Sequence, residues 1–338
     1  MKGLQIFEVG KLRIVDLPKP VQAPGEVLLR IDRVGFCGSD LSTFLGKNPL
    51  VQLPRIPGHE IAAVIEEIGT EVPDHIAVGQ AVTVYPYTSC GHCSSCLRGN
   101  LNSCRYNQTL GIQRDGALVE YLAVPWEKLI PADGLPQEKL ILVEPLSVGF
   151  HAVERGRATD SDTVAVFGCG MIGIGALVRA HLRGATVIAV DVDEEKLATA
   201  KSLGADHAVH AVEQNLQETL ADLTGGTGPD LVIEAAGSPA TYRSAVEAAA
   251  FSGRVVCIGY AKEDALLPTH LVVKKELNIH GSRNATPLDF LAVRNYLRKT
   301  EYPLERLISR QVELNQAQDA LRYWAENPGK IIKLVAVL

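Results

Sequence analysis

Four cysteines fall close together in this chain: Cys90, Cys93, Cys96 and Cys104, spaced C-x2-C-x2-C-x7-C in a stretch rich in Gly, Ser and Asn. Thiolates so placed on a turn-rich loop can close around one tetrahedral ion, with Zn–S near ~2.3 Å. Four sulfurs fill the coordination sphere and leave no position for a substrate, so zinc held there would be structural. His92 lies inside the loop as a competing ligand, and spacing alone leaves an iron–sulfur cluster open.

A second, looser set of groups lies upstream. Cys37 sits in Gly35-Phe36-Cys37-Gly38-Ser39-Asp40, and His59 and Glu60 follow Gly58. A thiolate, an imidazole and a carboxylate supply three mixed ligands and leave a fourth position for water or substrate, as a catalytic zinc requires. Asp40 is expected to accept the other ring N–H of His59 and fix its tautomer. Spacing does not show that these groups meet in space.

The third chemical feature is Gly168-Cys169-Gly170-Met171-Ile172-Gly173, a G-x-G-x-x-G. A β-branched run, Val164 to Phe167, precedes it, and apolar Ile174, Leu177, Val178 and Leu182 follow at helical spacing. A second apolar run ends on Asp191, eighteen residues after Gly173. Strand, glycine turn, helix and acid together form a dinucleotide-binding fingerprint. Gly168 permits the turn, Gly170 admits a pyrophosphate, Gly173 lets helix and strand pack, and Asp191 takes the ribose hydroxyls.

These groups need elements to position them. From Leu4 to about Pro125, short alternating runs broken by Pro and Gly predict a β-rich, barrel-like domain. After Glu144-Pro145-Leu146, strands alternate with helices at Glu194 to Leu203 and Tyr242 to Ala250, the pattern of a doubly wound parallel sheet. Helices at Leu288 to Leu297 and Gln316 to Trp324 precede a closing apolar strand, Lys330 to Val337, able to rejoin the first domain. With 338 residues, 46% hydrophobic and 21% charged, the chain allows two ordinary cores. A net charge of −6 argues against a general nucleic-acid binder. The apolar runs are too short for membrane spans and the start lacks a secretory signal. A cytoplasmic setting is expected, with no membrane or nucleic-acid partner and most of the seven cysteines reduced.

Taken together and in this order, the three motifs resemble the zinc-containing medium-chain dehydrogenase/reductase family over essentially the whole chain. The resemblance implies an α/β architecture in which a GroES-like catalytic domain is split around a Rossmann domain. The corresponding segments would be 1–145 with the cysteine lobe, 146–284 for the Rossmann domain and 285–338 for the return. It implies two zinc ions per chain and NAD. Cys37, His59 and Glu60 would ligate catalytic zinc, with Glu144 of Glu-Pro-Leu-Ser as a water-linked or exchanging fourth ligand. Ser39 would carry the hydroxyl of a proton relay, and Cys90, Cys93, Cys96 and Cys104 would hold structural zinc. Gly168, Gly170, Met171, Ile172, Gly173, Asp191 and Lys196 would line the cofactor.

Two departures from the alcohol dehydrogenase pattern narrow the branch. Acidic Glu60 is similar to the polyol and threonine dehydrogenases, and Ser42 replaces the relay histidine. Gly281-Ser-Arg-Asn-Ala-Thr286 is similar to sugar-acid dehydrogenases acting on L-galactonate or L-gulonate. Arg283 and Asn284, at the end of a predicted strand, are candidates to bind a substrate carboxylate and hydroxyl, the alternative being that Arg283 pairs with a surface acid or clamps the cofactor phosphates. The implied reaction is hydride transfer from a secondary alcohol to NAD, in a homodimer or homotetramer. An L-threonine 3-dehydrogenase or another zinc alcohol dehydrogenase is the alternative; a non-enzymatic nucleotide-sensing zinc protein would require ligands that are all still present to be lost.

Overall fold

Backbone pairing follows the β-branched runs. A computed structural model describes residues 1–261 and 263–338 and divides them into two units, Met1–Pro145 with Phe290–Leu338, and Leu146–Asp289. The chain opens with a hairpin, β1 (Lys2–Glu8) and β2 (Lys11–Asp16), then enters β3 (Glu26–Phe36) and a short helix α1 (Gly38–Phe44). Next come β4 (Glu60–Ile68), β5 (Ala81–Val84), β6 (Tyr87–Thr88), the single turn α2 (Ser94–Leu97), β7 (Gln108–Thr109), β8 (Tyr121–Pro125) and β9 (Leu129–Pro131). Two helices, α3 (Gln137–Leu140) and α4 (Val143–Gly156), lead to the second unit.

There the pattern is strand, helix, strand: β10 (Thr163–Phe167), α5 (Met171–Leu182), β11 (Thr186–Asp191), α6 (Glu194–Ser202) and β12 (His207–His210). It repeats through α7 (Leu216–Leu223), β13 (Leu231–Glu234), α8 (Pro239–Ala248), β14 (Arg254–Cys257), α9 (Thr269–Lys274) and β15 (Asn278–Gly281). The chain closes with α10 (Pro287–Lys299), β16 (Arg310–Glu313), α11 (Ala317–Glu326) and β17 (Leu334–Val337).

The second unit is a six-stranded parallel sheet in the order β12-β11-β10-β13-β14-β15. Order reverses beside β10, which is where a doubly wound sheet opens a crevice for a ligand. Val164, Ala165, Val166, Val187, Ile188, Leu231, Val232 and Ile233 are all fully buried, as strands covered on both faces demand. The sequence places the return to the first unit at residue 285, but it comes at Phe290. Asp289 is tied back within the second unit, accepting from Thr286 N (2.8 Å) and lying 3.1 Å from His151 Nδ1.

In the first unit, β3 is the spine. Its stretch from Val27 to Gly35 pairs with β4 on one edge. On the other edge β8 takes Glu26–Arg30 and β17 takes Arg33–Phe36, so the C-terminal strand completes the sheet. That closing strand begins at Leu334 instead of Lys330. Ile332 N bonds Ser309 Oγ and Lys330 N bonds Asn327 O, which takes this stretch off the ladder.

Candidate active site

Three strand ends bring the first cluster together. β3 delivers Cys37 just past Phe36, and β4 begins at Glu60, with His59 before it; Gly35 faces Glu60 across the ladder. β17 pairs Leu334 with Phe36, which sets Lys333 beside the same exit. Gly35 cannot be replaced without cost: a Cβ there would lie 2.0 Å from Glu60 Oε2. Ligand atoms of Cys37, His59 and Glu60 then lie within 4.8 Å of one another.

Lys333, absent from the sequence-derived site, completes this cluster. Its Nζ reaches both Glu60 oxygens at 2.6 Å and the Phe36 carbonyl at 3.2 Å, with Lys333 3% exposed and Glu60 fully buried. Burial would lower the Lys333 pKa, but the Glu60 carboxylate holds it above the usual lysine value. A lysine inside an otherwise apolar terminal run was the signal available in the sequence.

Glu144 stands in the first turn of α4, where Pro145 is tolerated because its missing N–H would have had no helical partner. It is not one of the Cys37, His59 and Glu60 trio; its Oε1 accepts a short hydrogen bond from the Tyr87 hydroxyl. Burial, then the Glu144 charge, raises the Tyr87 pKa well above its usual value, so Tyr87 remains a donor.

The expected Asp40–His59 hydrogen bond is not made. Asp40 Oδ2 instead accepts from Cys37 N at 2.9 Å and caps α1, while Asp40 Oδ1 and His59 Nδ1 are buried without hydrogen bonds. Asp40 acts on His59 through charge. Burial alone would lower the imidazole pKa, yet Asp40, with Cys37 and Glu144, holds it well above its usual value. Ser39 Oγ is another buried atom without a partner. A cluster of a thiol, three buried carboxyls and one lysine favours a cation, and its mixed sulfur, nitrogen and oxygen donors suit zinc.

The cysteine lobe fits a metal more tightly still. Cys93 and Cys96 sulfurs are 3.5 Å apart, Cys93 and Cys104 3.9 Å, and Cys90 and Cys96 4.0 Å. A tetrahedral ZnS4 unit with its ~2.3 Å bonds needs edges of about 3.8 Å, whereas a disulfide needs ~2.05 Å. An iron–sulfur cluster, with sulfides of its own inside, would hold the cysteines farther apart. Backbone N–H groups of Cys90 and Tyr106 point at Cys104 Sγ, both at 3.3 Å. Those of Cys96 and Arg105 bring the Cys93 thiol down to about 6. His92 turns its Nδ1 to the Cys90 carbonyl at 2.9 Å and stacks on Tyr106, away from the sulfurs.

In the second unit the glycine turn has the geometry that a nucleotide cradle needs. Gly168 has φ +95°, and a Cβ on Gly173 would lie 1.8 Å from the Gly168 carbonyl, so helix α5 closes on β10 only with glycine there. A Cβ on Gly170 would meet nothing within 4 Å, leaving the space at the start of α5 where a phosphate would approach. Met171 and Ile172 form the first turn of α5. Asp191 binds this turn to β11: its Oδ2 accepts from Cys169 N at 2.6 Å and its Oδ1 from Val192 N at 2.7 Å. Lys196 lies in the first turn of α6, its backbone N–H on Asp193. Arg283 and Asn284 follow β15 in this second unit; Asn284 takes φ +54°. Glu234, also absent from the sequence-derived site, ends β13 fully buried and accepts from Gly237 N (2.7 Å) and Thr241 Oγ1 (2.7 Å).

Comparison with known proteins agrees with both units. Residues 23–136 match the alcohol dehydrogenase GroES-like domain, and residues 172–298 match the zinc-binding dehydrogenase family. L-galactonate-5-dehydrogenase of Escherichia coli is 34% identical over 81% of this chain and 80% of its own. Sorbitol dehydrogenase of Bacillus subtilis is 32% identical over 99% of this chain and 96% of its own. Among solved structures, a dehydrogenase (rspB) of E. coli CFT073 complexed with NADH has a TM-score of 0.92 and 30% identity, covering 100% of this chain and 99% of its own. Among the described residues no helix is long and apolar enough to cross a membrane. With its GroES-like domain, its parallel nucleotide-binding sheet and relatives matched end to end, the chain belongs to the zinc-containing medium-chain alcohol and polyol dehydrogenases and is an oxidoreductase.

Proposed function

We propose that this enzyme oxidises a secondary alcohol of a polyol or sugar acid, such as L-galactonate or L-gulonate, with NAD as hydride acceptor. The observation that carries this reading is the Cys37, His59 and Glu60 donor set, half-buried at Cys37 and buried at the other two, with the partnerless Ser39 hydroxyl two residues beyond Cys37. Zinc bound by that trio would supply Lewis acidity toward a substrate hydroxyl, and a nicotinamide would take up the hydride. Ser39 Oγ would accept the substrate's hydroxyl proton and pass it outward. Lys333 would hold Glu60 in place, and Asp40 would favour positive charge near His59. A second zinc in the Cys90, Cys93, Cys96 and Cys104 lobe would brace the loop without touching substrate.

NAD preference rests on Asp191, whose carboxylate would bond the ribose hydroxyls and repel a 2′-phosphate. A preference of about 10–100-fold corresponds to ~1–3 kcal/mol, the scale of one charged hydrogen bond. The sugar-acid branch is supported by the name of the L-galactonate-5-dehydrogenase relative and by Arg283, whose guanidinium would bind a substrate carboxylate through two hydrogen bonds while Asn284 reads a neighbouring hydroxyl. A homo-oligomer is supported by the exposed edge strand β15 with Ile279, and by Val273 and Tyr260, more than 80% exposed in the same unit. Cysteines that form no disulfide among the described residues, four of them gathered as metal ligands would be, suit the cytoplasm.

The test is a panel of polyols, aldonates and threonine with NAD and NADP, followed by absorbance of the reduced cofactor, on wild type and Arg283→Ala. A strong loss of kcat/KM for aldonates alone, with NAD affinity unchanged, supports the sugar acid. A loss of NAD affinity equal across substrates assigns Arg283 to the cofactor. Activity on threonine alone overturns the polyol and sugar-acid reading.

A further inference from the structure

Tyr87 is held more firmly than a packing residue needs to be. It is 3% exposed, and its ring stands edge-on to Tyr85 (centroids 5.1 Å apart, 88° between planes) and to Phe290 (6.2 Å, 84°). Lys128 Nζ donates to the Tyr87 carbonyl and lies 5.1 Å from the Tyr85 ring centroid, which fixes the backbone as well. Phenylalanine would fill the same space. The hydroxyl is therefore the distinguishing group, and it is spent on Glu144 Oε1.

The two buried glutamates of this cluster are thus held differently. Glu60 is gripped through both oxygens by a cation, and Glu144 receives a neutral phenol. A Cys37 thiolate with the Glu60 and Asp40 carboxylates, less the Lys333 cation, already balances both charges of a zinc ion. The Glu144 carboxylate then gains little net attraction, and in a water-poor site one directed hydrogen bond can decide where it rests. We propose that Tyr87 is a positioning residue that keeps Glu144 on the phenol and out of the coordination sphere of Cys37, His59 and Glu60, so that the fourth position stays open to substrate oxygen. This rests on the zinc dehydrogenase reading above.

The experiment uses the zinc-loaded, full-length protein and four variants: Tyr87→Phe, Glu144→Gln, the two combined, and Cys37→Ser. Zinc transfer to a chelator is followed, with Cys37→Ser marking the fraction that belongs to this site; cobalt-substituted protein gives a visible spectrum sensitive to ligand number. In Tyr87→Phe, Glu144 should move onto the metal: zinc leaves this site about tenfold more slowly, on the lower side of what outer partners of metal ligands control. Its cobalt spectrum shifts and kcat falls. Because Tyr87 acts through Glu144, the combined variant should release zinc at the rate of Glu144→Gln. Glu144→Gln alone should leave the cobalt spectrum as in wild type, a result that does not depend on how well Tyr87→Phe folds. Zinc leaving Tyr87→Phe as fast as wild type or faster, a combined variant that differs from Glu144→Gln, or a cobalt spectrum altered by Glu144→Gln alone would each overturn the proposal. If wild type holds no more zinc than Cys37→Ser, the metal reading itself fails and Tyr87 loses its role with it; two zinc ions with an unaltered Tyr87→Phe removes only the role of Tyr87.

Discussion

Replacing Lys333 with methionine tests how the first unit carries a buried charge. The side chain keeps most of its volume and loses its cation. Glu60, with no exposed surface, then loses two contacts of 2.6 Å, and the Phe36 carbonyl loses one of 3.2 Å. Breaking a buried pair by removing one partner costs about 3–5 kcal/mol, because the remaining charge has neither water nor counter-ion. For a unit of this size that lowers Tm by about 6–20 °C. Zinc changes the sum. With metal at Cys37, His59 and Glu60 the orphaned carboxylate has a second positive partner, so the loaded variant should lose less than half as much as the metal-depleted one. The assay is calorimetric or circular-dichroism melting of wild type and Lys333→Met, each with zinc and after dialysis against a chelator, with zinc content measured on the same samples. Equal Tm losses with and without zinc would mean that Glu60 does not face the metal. A metal-depleted variant that melts within a degree or two of wild type would refute the cost assigned to the buried pair.

Four further expectations follow from the geometry. Cys96→Ser should lose one zinc equivalent and melt earlier while KM changes little, since its lobe closes on itself; wild-type zinc content and Tm in that variant would remove the structural ion. Gly170→Ala should fold normally, because its Cβ meets open space, but bind NADH at least about tenfold more weakly, or ~1.4 kcal/mol, by fluorescence titration. Gly173→Ala should instead lower Tm, because its Cβ would lie 1.8 Å from the Gly168 carbonyl; unchanged NADH affinity in Gly170→Ala would place the phosphates elsewhere. Burial opposes the Asp289 charge, but His151 and Thr286 bring its carboxyl below the usual range. Its contribution is therefore complete above about pH 3.9 and is lost as pH falls through the lowered native value. Asp289→Asn should be about 1–3 kcal/mol less stable at neutral pH and show a shallower loss in acid, checked by urea melts from pH 7 to pH 2; parallel curves would contradict this.

What the sequence determines by itself is local. Cysteines with two or seven residues between them on one loop have few ways to avoid one another, so C-x2-C-x2-C-x7-C defines a cluster before any fold is known. The glycine turn is equally self-contained, since strand, turn, helix and acid lie within one continuous segment. β-branched runs such as Thr163–Phe167 and Thr186–Asp191 identify strands buried on both faces because the side chains alone demand it.

Tertiary structure decides which distant side chains become partners. Lys333 reads as one charge in an apolar run until the β17–β3 register sets it beside Cys37 and the β3–β4 register sets Glu60 opposite Gly35. Asp40 looks like a partner for His59 in sequence, but the cap of α1 takes one of its oxygens. Tyr87 carries no motif at all; its hydroxyl acquires a role only when β6 and the first turn of α4 meet around Glu144. Strand register fixes the Glu60–Lys333 pairing, and register is set by the packing of whole sheets: a slip of one residue in β4 would turn Glu60 to the opposite face.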